Sequence, residues 1–317
     1  MTLKAKALEL LRKYNLMVLL AMFVIISAIL SEHFLTVPNW MNLLHQCSIN
    51  GIMAIGMTFV ILTGGIDLSV GSVSAYAGMI SGILLMSGWP VPMAVAAAVT
   101  VGATFGLISG LVSVKFNIPS FIVTLAVMVT VRGLALLSTN GGPIFGLPAS
   151  FTRIGNVRIF GTVPVPGLIW IGITVISVIL LQYTTFGRGI YAIGGNRDAA
   201  MLSGVRINQF TVLAFVISGA LAAVAGIILS SWITVSQPTI SQGAELDAIA
   251  ATVLGGTALA GGVGGTIGTL GGVFLLQIIT NIFNLTGITS YYQQIFKGII
   301  IILALLMNSM LIIRKRE

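Results

Sequence analysis

The stretch from Cys47 to Trp89 contains one charged residue, Asp67. As a single helix, residues 47–88 would be about 63 Å long, roughly twice the 30 Å thickness of a bilayer's hydrocarbon core. The stretch must therefore turn once. We predict the turn at TGGIDLSVG (residues 63–71), because Gly64 and Gly65 allow the backbone to leave a helix.

The rest of the chain has the composition of a polytopic membrane protein. Hydrophobic residues make up 57% of its 317 residues and charged residues only 7%, whereas about 25% of the residues in an average soluble domain are charged. A chain of this composition cannot cover itself with polar groups in water. Its single cysteine, Cys47, also excludes a disulfide bond within the chain.

Ten apolar segments are predicted to span the membrane, which gives an all-α polytopic fold with one transmembrane domain over residues 1–317. The segments are 15–31, 47–63, 70–88, 92–114, 119–138, 165–184, 210–230, 248–260, 266–286 and 292–313. The eighth segment is short and rich in glycine. Residues 1–31 resemble a signal peptide, and we interpret them as an N-terminal tail (1–14) followed by an uncleaved first span.

The distribution of basic residues predicts the orientation of these spans. With the N-terminus inside the cell, the basic residues of the inner segments are Lys4, Lys6, Arg12, Lys13, Lys115, Arg188, Arg197, Arg206, Arg314, Lys315 and Arg316. The outer segments carry only Arg153 and Arg158, both in the outer loop 139–165. Because cytoplasmic loops are rich in lysine and arginine, both termini are predicted to be cytoplasmic. The net charge of +8 is explained by flanks that face an anionic leaflet, without any nucleic acid.

This topology places Asp67 at the cytoplasmic ends of spans two and three. One interpretation is that Asp67 or Ser69 caps the third span, where backbone N–H groups and the helix dipole favour an acceptor. A second is that Asp67 belongs to an inner gate or contacts a cytoplasmic partner. A third is a proton- or cation-coupling role, since a carboxylate inside a membrane is costly and usually functional.

The longest charged inner segment is residues 185–208, TFGRGIYAIGGNRDAAMLSGVRIN. Gly194 and Gly195 are predicted to form a turn, with Asn196 as the N-cap of a short helix and Asp198 in its first turn. Gly204 is predicted to end that helix. Such a short helix on the cytoplasmic face is either a membrane-surface anchor or a ridge that contacts another protein.

Residues 231–272 contain two acidic residues and a cluster of glycines. Glu245 and Asp247 precede span eight on the predicted outer side, where ordinary helix capping accounts for them. The glycines that follow are predicted to allow close helix packing or a break in a helix. They are Gly255, Gly256, Gly261, Gly262, Gly264, Gly265 and Gly268.

Catalytic and metal-binding patterns are absent from the sequence. No lysine followed by serine or threonine comes after a glycine run, so there is no Walker A motif, and the chain is not predicted to be an enzyme. His33 and His45 have no partner at metal-ligand spacing, and no metal site is expected. Arg132 lies about 14 residues into span five and is expected to snorkel or face the bundle interior. Lys297 is expected to snorkel at the outer interface.

Three motifs together resemble the ribose-type permeases of bacterial ABC sugar importers. They are GGIDLSVGS at 64–72, FGRGIYAIGGNRDAAMLSGVRIN at 186–208 and ELDAIAATVLGGTALAGGVGGTIGTLGG at 245–272. The similarity extends through NGIMAIGMTFVILT before the first motif and SYYQQIFKGIIIILAL near the end, so it covers most of the chain in order. It implies a bundle like those of type II ABC importers, in the bacterial inner membrane.

The resemblance also implies partners. Permeases of this kind pair as a homodimer or with a paralogue, and dock a cytoplasmic ATPase, usually with tandem nucleotide-binding domains, that holds ATP and Mg²⁺. A periplasmic or lipid-anchored sugar-binding protein docks from outside, so this chain itself binds no cofactor. By position, the helix 195–200 within the coupling loop 185–208 would be the coupling helix that sits in a groove of the ATPase. The expected contact residues of this loop are Gly194, Gly195, Asn196, Arg197, Asp198, Ala199, Ala200, Ser203 and Gly204.

The mechanism implied by the family is ATP-driven switching of the permease pair between outward- and inward-facing states. The regions expected to act as gates are two glycine-rich segments, with Glu245 and Asp247 on the outer face. The gate residues are Gly64, Gly65, Asp67, Ser69, Gly71, Gly255, Gly256, Gly261 and Gly262. Ribose is the first expectation for the cargo, with another pentose, a hexose or a sugar-derived signalling molecule open. The alternative is a secondary sugar transporter, driven by an ion gradient, with Asp67 as its coupling carboxylate.

Overall fold

The computed structural model describes residues 15–296, 298–300 and 302, which form a mostly helical bundle. The helices are α1 (Asn15–Leu30), α2 (Val37–Leu62), α3 (Val70–Met86), α4 (Val91–Lys115), α5 (Ser120–Leu137), α6 (Ala149–Asn156), α7 (Val165–Tyr183), α8 (Thr185–Gly195), α9 (Arg197–Leu202), α10 (Ile207–Ile233), α11 (Ala244–Leu254) and α12 (Thr266–Leu285). Two short strands, β1 (Arg158–Ile159) and β2 (Val163–Pro164), pair antiparallel between α6 and α7. Residues 290–296 are again helical.

Six helices within the described part of the chain are long and apolar enough to cross a membrane: α2, α4, α5, α7, α10 and α12. The apolar helices α1 and α3 are shorter. These eight helices lie at predicted spans, and the structure is that of a polytopic membrane protein. The tenth predicted span, 292–313, lies mostly outside the described residues, as do both chain ends and Lys297.

The predicted start of the second span, at residue 47, was wrong, because the helix begins ten residues earlier. Helix α2 starts at Val37, with a proline in its first turn. It includes polar residues that precede the predicted span. Those residues have partners inside the bundle: Asn39 exchanges hydrogen bonds with Asn281 of α12, at 3.1 and 2.9 Å. His45 packs against the Trp232 ring with centroids 4.3 Å apart. Because these polar side chains have partners on neighbouring helices, they are accommodated within a buried helix and do not mark its end.

The eighth predicted span, 248–260, was wrong. Helix α11 has 11 residues and ends at Leu254, so it is about 16 Å long, half of a hydrocarbon core. Residues 255–265 form an irregular loop in which Gly256, Gly261, Gly262 and Gly264 have positive φ. Each such glycine favours a backbone that a helix cannot use, and the cluster therefore ends the helix.

Helix α10 packs against α4, α2 and α3. Helix α2 is buried along most of its length. Glycines of α4 allow it to approach α10 closely: a Cβ on Gly110 would lie 2.9 Å from the Cα of Val212, and a Cβ on Gly102 would lie 2.5 Å from Gly219 O. This is the small-residue packing typical of helices in lipid.

Residues 139–165, predicted as an outer loop, are folded. Helix α6 buries Phe151, and the N–H of Gly155 donates to the hydroxyl of Ser231 at 2.7 Å. Ile144 pairs with Ser236 as an isolated antiparallel bridge. The segment therefore covers the end of α10 and holds the chain that follows it.

Candidate functional site

The turn between α2 and α3 is stabilised by the first turn of α5. Gly64 has a φ of +80°, so a glycine permits the exit from α2 as predicted. The N–H of Ile66 donates to the hydroxyl of Ser120 at 3.0 Å. Thr124 accepts from the N–H of Leu68 at 3.1 Å and donates to Ile66 O at 3.1 Å. Side chains of α5 thus replace the helical bonds that the turn loses.

Asp67 is fully buried within this turn. Its Oδ1 accepts from the N–H and the hydroxyl of Ser69, at 3.0 and 2.6 Å, and its Oδ2 accepts from the hydroxyl of Ser218 at 2.8 Å. Ser218 is the twelfth residue of α10, so the carboxylate lies about 16 Å along that helix from its start. Asp67 is therefore beside the middle of α10, not at the end of the bundle where the sequence placed it.

The predicted capping of α3 by Asp67 or Ser69 was wrong. Ser69 occupies the N-cap position but makes no side-chain capping bond, because its hydroxyl donates to Asp67. The carboxylate stabilises the turn by binding the two serines.

Helix α3 begins well inside the bundle. The carbonyl of Ser74, in its second turn, touches the backbone of Gly226, the twentieth residue of α10. Helix α11 begins at a similar level: its Glu245 carboxylate lies against Gly71 of α3, and the hydroxyl of Ser241 lies 3.1 Å from that of Ser74. Two broken helices therefore start part-way through the bundle and run in opposite directions, α3 parallel to α10 and α11 parallel to α2.

The segment 234–243 joins the end of α10 to the start of α11 by descending along α3. Ser236 lies against Gly82 of α3, and Ser241 lies against Gly71, so the descent covers about 16 Å of that helix. Arg132 holds the segment, donating from Nη1 to the carbonyls of Pro238 and Ile240 at 2.6 and 3.0 Å. The prediction that Arg132 faces the bundle interior is confirmed.

Glu245 and Asp247 lie in the first turn of α11, as predicted. The N-cap is Gly243, with a φ of +79° and no side-chain capping bond. Glu245 contacts α3 and Asp247 lines a cavity with Asn50. Both carboxylates therefore lie at the junction of the broken helices, and their assignment to the outer face stays a prediction.

We expect Gly71→Ala to destabilise this junction. An alanine Cβ would lie 2.5 Å from Ser241 O and would overlap the Glu245 carboxylate, so the loss of stability is about 1–3 kcal/mol by overpacking. The measurement is thermal unfolding of the purified protein in detergent. Gly133→Ala in α5 is the matched control, because nothing lies within 4 Å of its added methyl group. Equal melting temperatures for the two variants would contradict the described contact.

Three segments meet at the C-terminal end of α2, in what we call the glycine junction: Leu62 of α2, Gly194 of α8, and Gly261 and Gly262 of the loop 255–265. The N–H of Gly262 donates to Leu62 O at 3.0 Å. Gly194 packs so closely on both atoms of this bond that any Cβ would overlap them. The predicted gate residues Gly261 and Gly262 are thus in contact with the predicted coupling residue Gly194.

Helix α9 and its caps match the sequence prediction. The side chain of Asn196 accepts from the N–H of Ala199 at 2.9 Å, Asp198 is in the first turn, and Gly204 follows with a φ of +78°. Gly194 and Gly195 were predicted as a turn but form the last two residues of α8, which the sequence analysis missed. The hydroxyl of Tyr191 donates to Gly264 O at 2.8 Å, and burial raises the pKa of Tyr191, so this donor stays protonated at neutral pH.

The surface of α9 is mostly exposed. Ala200 is buried, whereas Met201 and Leu202 are 62% and 86% exposed. Arg197 and Asp198 are also exposed. Sequence reasoning named the charged residues as contacts and missed the two apolar ones, although their position at the end of the predicted short helix was visible.

A cavity of about 380 Å³ lies where α2, α10, α11, α12 and the segment 234–243 meet. The hydroxyl, amide and carboxyl side chains of its lining are Gln46, Asn50, Ser241, Gln242, Asp247, Gln277 and Thr280. Sequence analysis missed all of these except Asp247. The available signal was the presence of uncharged amides within otherwise apolar helices. In the described residues, no group of three His, Cys, Asp or Glu side chains is placed to hold a metal ion.

Comparison with known proteins gives consistent matches. A protein-family model described as "Branched-chain amino acid transport system / permease component" matches residues 39–305. The ribose import permease protein RbsC of Escherichia coli strain K12 is 42% identical over 95% of this chain and 94% of its own length. The corresponding protein of Bacillus subtilis strain 168 is 44% identical, over 91% and 90%. The xylose transport system permease protein XylH of E. coli K12 is 33% identical, over 92% of each chain. No solved structure matches.

Proposed function

Because the chain belongs to the permease family of branched-chain amino acid transport systems, we propose that it is the transmembrane subunit of an ATP-driven monosaccharide importer. The observation that carries this proposal is the 42–44% identity to two ribose import permeases over more than nine tenths of the chain. Ribose is the proposed cargo. The relative named for xylose is less similar, at 33% identity.

The proposed contact with a partner ATPase is α9. This helix has a stable cap at Asn196 and a buried anchor at Ala200. It also presents Met201 and Leu202, two exposed apolar side chains. An exposed apolar pair on a rigid short helix has the features of an anchor that fills a groove on a partner. The ATPase, for which we propose tandem nucleotide-binding domains, supplies the ATP and Mg²⁺ chemistry.

The proposed route of coupling runs through the glycine junction. Movement of α9 by the ATPase is transmitted to α8, whose Gly194 contacts both the end of α2 and the loop 255–265. Backbone packed against backbone leaves no side chain to absorb the displacement. A shift of α8 therefore moves the inner ends of α2 and α11 together, which is the proposed inner gate.

The remaining partners follow from the family. We propose a second permease copy or paralogue across the pathway, and a sugar-binding protein that docks from outside. We also propose a location in the bacterial inner membrane with both termini cytoplasmic. Charge distribution supports this orientation, since the inner segments carry eleven basic residues and the outer segments two.

A secondary transporter with Asp67 as its coupling carboxylate is the competing function. The three hydrogen bonds of Asp67 to two serines support a structural role for this residue. We expect Asp67→Asn to keep uptake within about twofold of wild type, because the amide can accept from Ser69 and donate to Ser218. Asp67→Ala leaves those serines without their partner and should lower the free energy of unfolding by about 1.5–3 kcal/mol.

The measurements for this pair are sugar uptake and the melting temperature of the purified protein. If Asp67 were a coupling carboxylate, Asp67→Asn would instead lose uptake while keeping the melting temperature of the wild type. That result would contradict the structural role.

The function itself is tested by uptake of radiolabelled ribose in cells that lack their own ribose permease. The chain is expressed with its candidate ATPase and binding protein, and then with each partner omitted. We expect ribose accumulation only when both partners are present. Accumulation by the chain alone would contradict the proposal.

A further inference from the structure

We propose that the cavity between α2, α10, α11 and α12 is a binding subsite for an uncharged monosaccharide within the permease itself. We call it the amide cavity. The inference rests on the proposed function and adds to it a ligand class and the residues that contact the ligand.

The position of the amide cavity fits a ligand site. It is lined on one side by the irregular segment 234–243, which descends into the bundle held by Arg132. Irregular backbone at membrane depth is tolerated where it is buried in protein or lines a water-filled cavity, and broken helices commonly build substrate sites there. The volume of about 380 Å³ is at the small end of the roughly 300–1,000 Å³ usual for small-molecule sites.

Three amide side chains of the lining, Asn50, Gln277 and Gln46, are joined by hydrogen bonds into a row that we call the ladder. Some of their donors and acceptors are unused. Asn50 donates to Gln277 Oε1 at 3.4 Å, and Gln277 Nε2 donates to Gln46 Oε1. This leaves Gln46 Nε2 as a donor and Asn50 Oδ1 as an acceptor, with no hydrogen bond to any residue that the structure describes. Sugar hydroxyls both donate and accept, so adjacent donors and acceptors on a fixed scaffold match them.

The charge and the aromatic lining favour a neutral sugar. Among the residues that the structure describes, Asp247 is the one charged residue lining the amide cavity, so an anionic ligand would be repelled. Trp232 also lines the cavity, and its ring is held by His45 at a centroid distance of 4.3 Å. A positioned indole provides an apolar surface for the C–H face of a sugar ring, and its carboxylate and amide neighbours meet the hydroxyl groups.

The direct test is saturation-transfer NMR with D-ribose on the purified full chain in lipid nanodiscs, without partner proteins. The variants are Asn50→Leu, which removes part of the ladder, and Gln242→Leu, an exposed lining residue outside the ladder. Gln182→Leu, an exposed amide at the end of α7, is the matched control. We expect ribose signals in the wild type and in Gln182→Leu, and signals at least about fivefold weaker in both cavity variants, since each removes contacts worth about 1 kcal/mol or more.

The second measurement separates this inference from the proposed function. In the full transporter, the cavity variants should lower ribose uptake while the ATP hydrolysis stimulated by loaded binding protein is retained. Equal ribose signals in the wild type and in both cavity variants would overturn the subsite even if the importer works. A chain that binds ribose in the amide cavity but shows no ATP-driven uptake would support the subsite and contradict the proposed function.

Discussion

Gly194→Ala is expected to lower ATP-driven sugar uptake at least about tenfold. The added methyl group would overlap Leu62 O and Gly262 N, the two atoms of the hydrogen bond that closes the glycine junction. All the neighbouring atoms are backbone, so the clash cannot be relieved by a side-chain rotation. Overpacking of this kind costs about 1–3 kcal/mol, which the junction can recover only by separating α8 from the end of α2.

The matched control is a glycine of the neighbouring helix α7. Gly172→Ala adds the same methyl group, but nothing lies within 4 Å of it and Gly172 is not among the expected ATPase contacts. We expect uptake by this variant to equal that of the wild type. The measurement is ribose uptake together with ATP hydrolysis stimulated by loaded binding protein, and both should decrease for Gly194→Ala. Equal activity of the two variants would show that the glycine junction does not transmit the ATPase movement.

Replacing Met201 and Leu202 together with serine is expected to abolish uptake by removing the ATPase contact. These side chains are 62% and 86% exposed, so they contribute little to the stability of the chain itself. A buried apolar anchor at an interface is typically worth about 2 kcal/mol or more, so losing two anchors predicts about a thousandfold weaker association with the ATPase.

The measurement is retention of the ATPase on the tagged, purified permease, compared with the melting temperature of the permease alone. Met86→Ser, an exposed apolar residue at the other end of the bundle, is the matched control. We expect the double variant to lose the ATPase with an unchanged melting temperature. Retention of the ATPase by the double variant would place the contact elsewhere.

Local patterns predicted much of the helical structure. Apolar runs located the six long apolar helices and the two shorter ones, Gly64 marked the exit from α2, and Asn196 with Asp198 defined α9. These features depend on neighbouring residues, and a single sequence contains them. The family resemblance was likewise carried by contiguous motifs.

The depth of the functional residues could not be predicted in the same way. Asp67 was placed at the end of two spans because a turn lay there, but the turn folds back beside Ser218 in the middle of α10. Asn39 and Gln46 of α2 lay outside the predicted span because their partners on α12 are more than 200 positions away in the chain. Such pairings depend on how the helices pack, which periodicity does not specify.

The most direct test of the proposed mechanism is ribose uptake into proteoliposomes that contain this chain with its candidate ATPase and binding protein. ATP is enclosed or omitted, and ionophores collapse the proton and sodium gradients in parallel samples. The account predicts uptake that requires internal ATP and both partners and that is unchanged by the ionophores. Uptake by the chain alone that stops when the gradients collapse would contradict it, and would make Asp67 the coupling carboxylate of a secondary transporter.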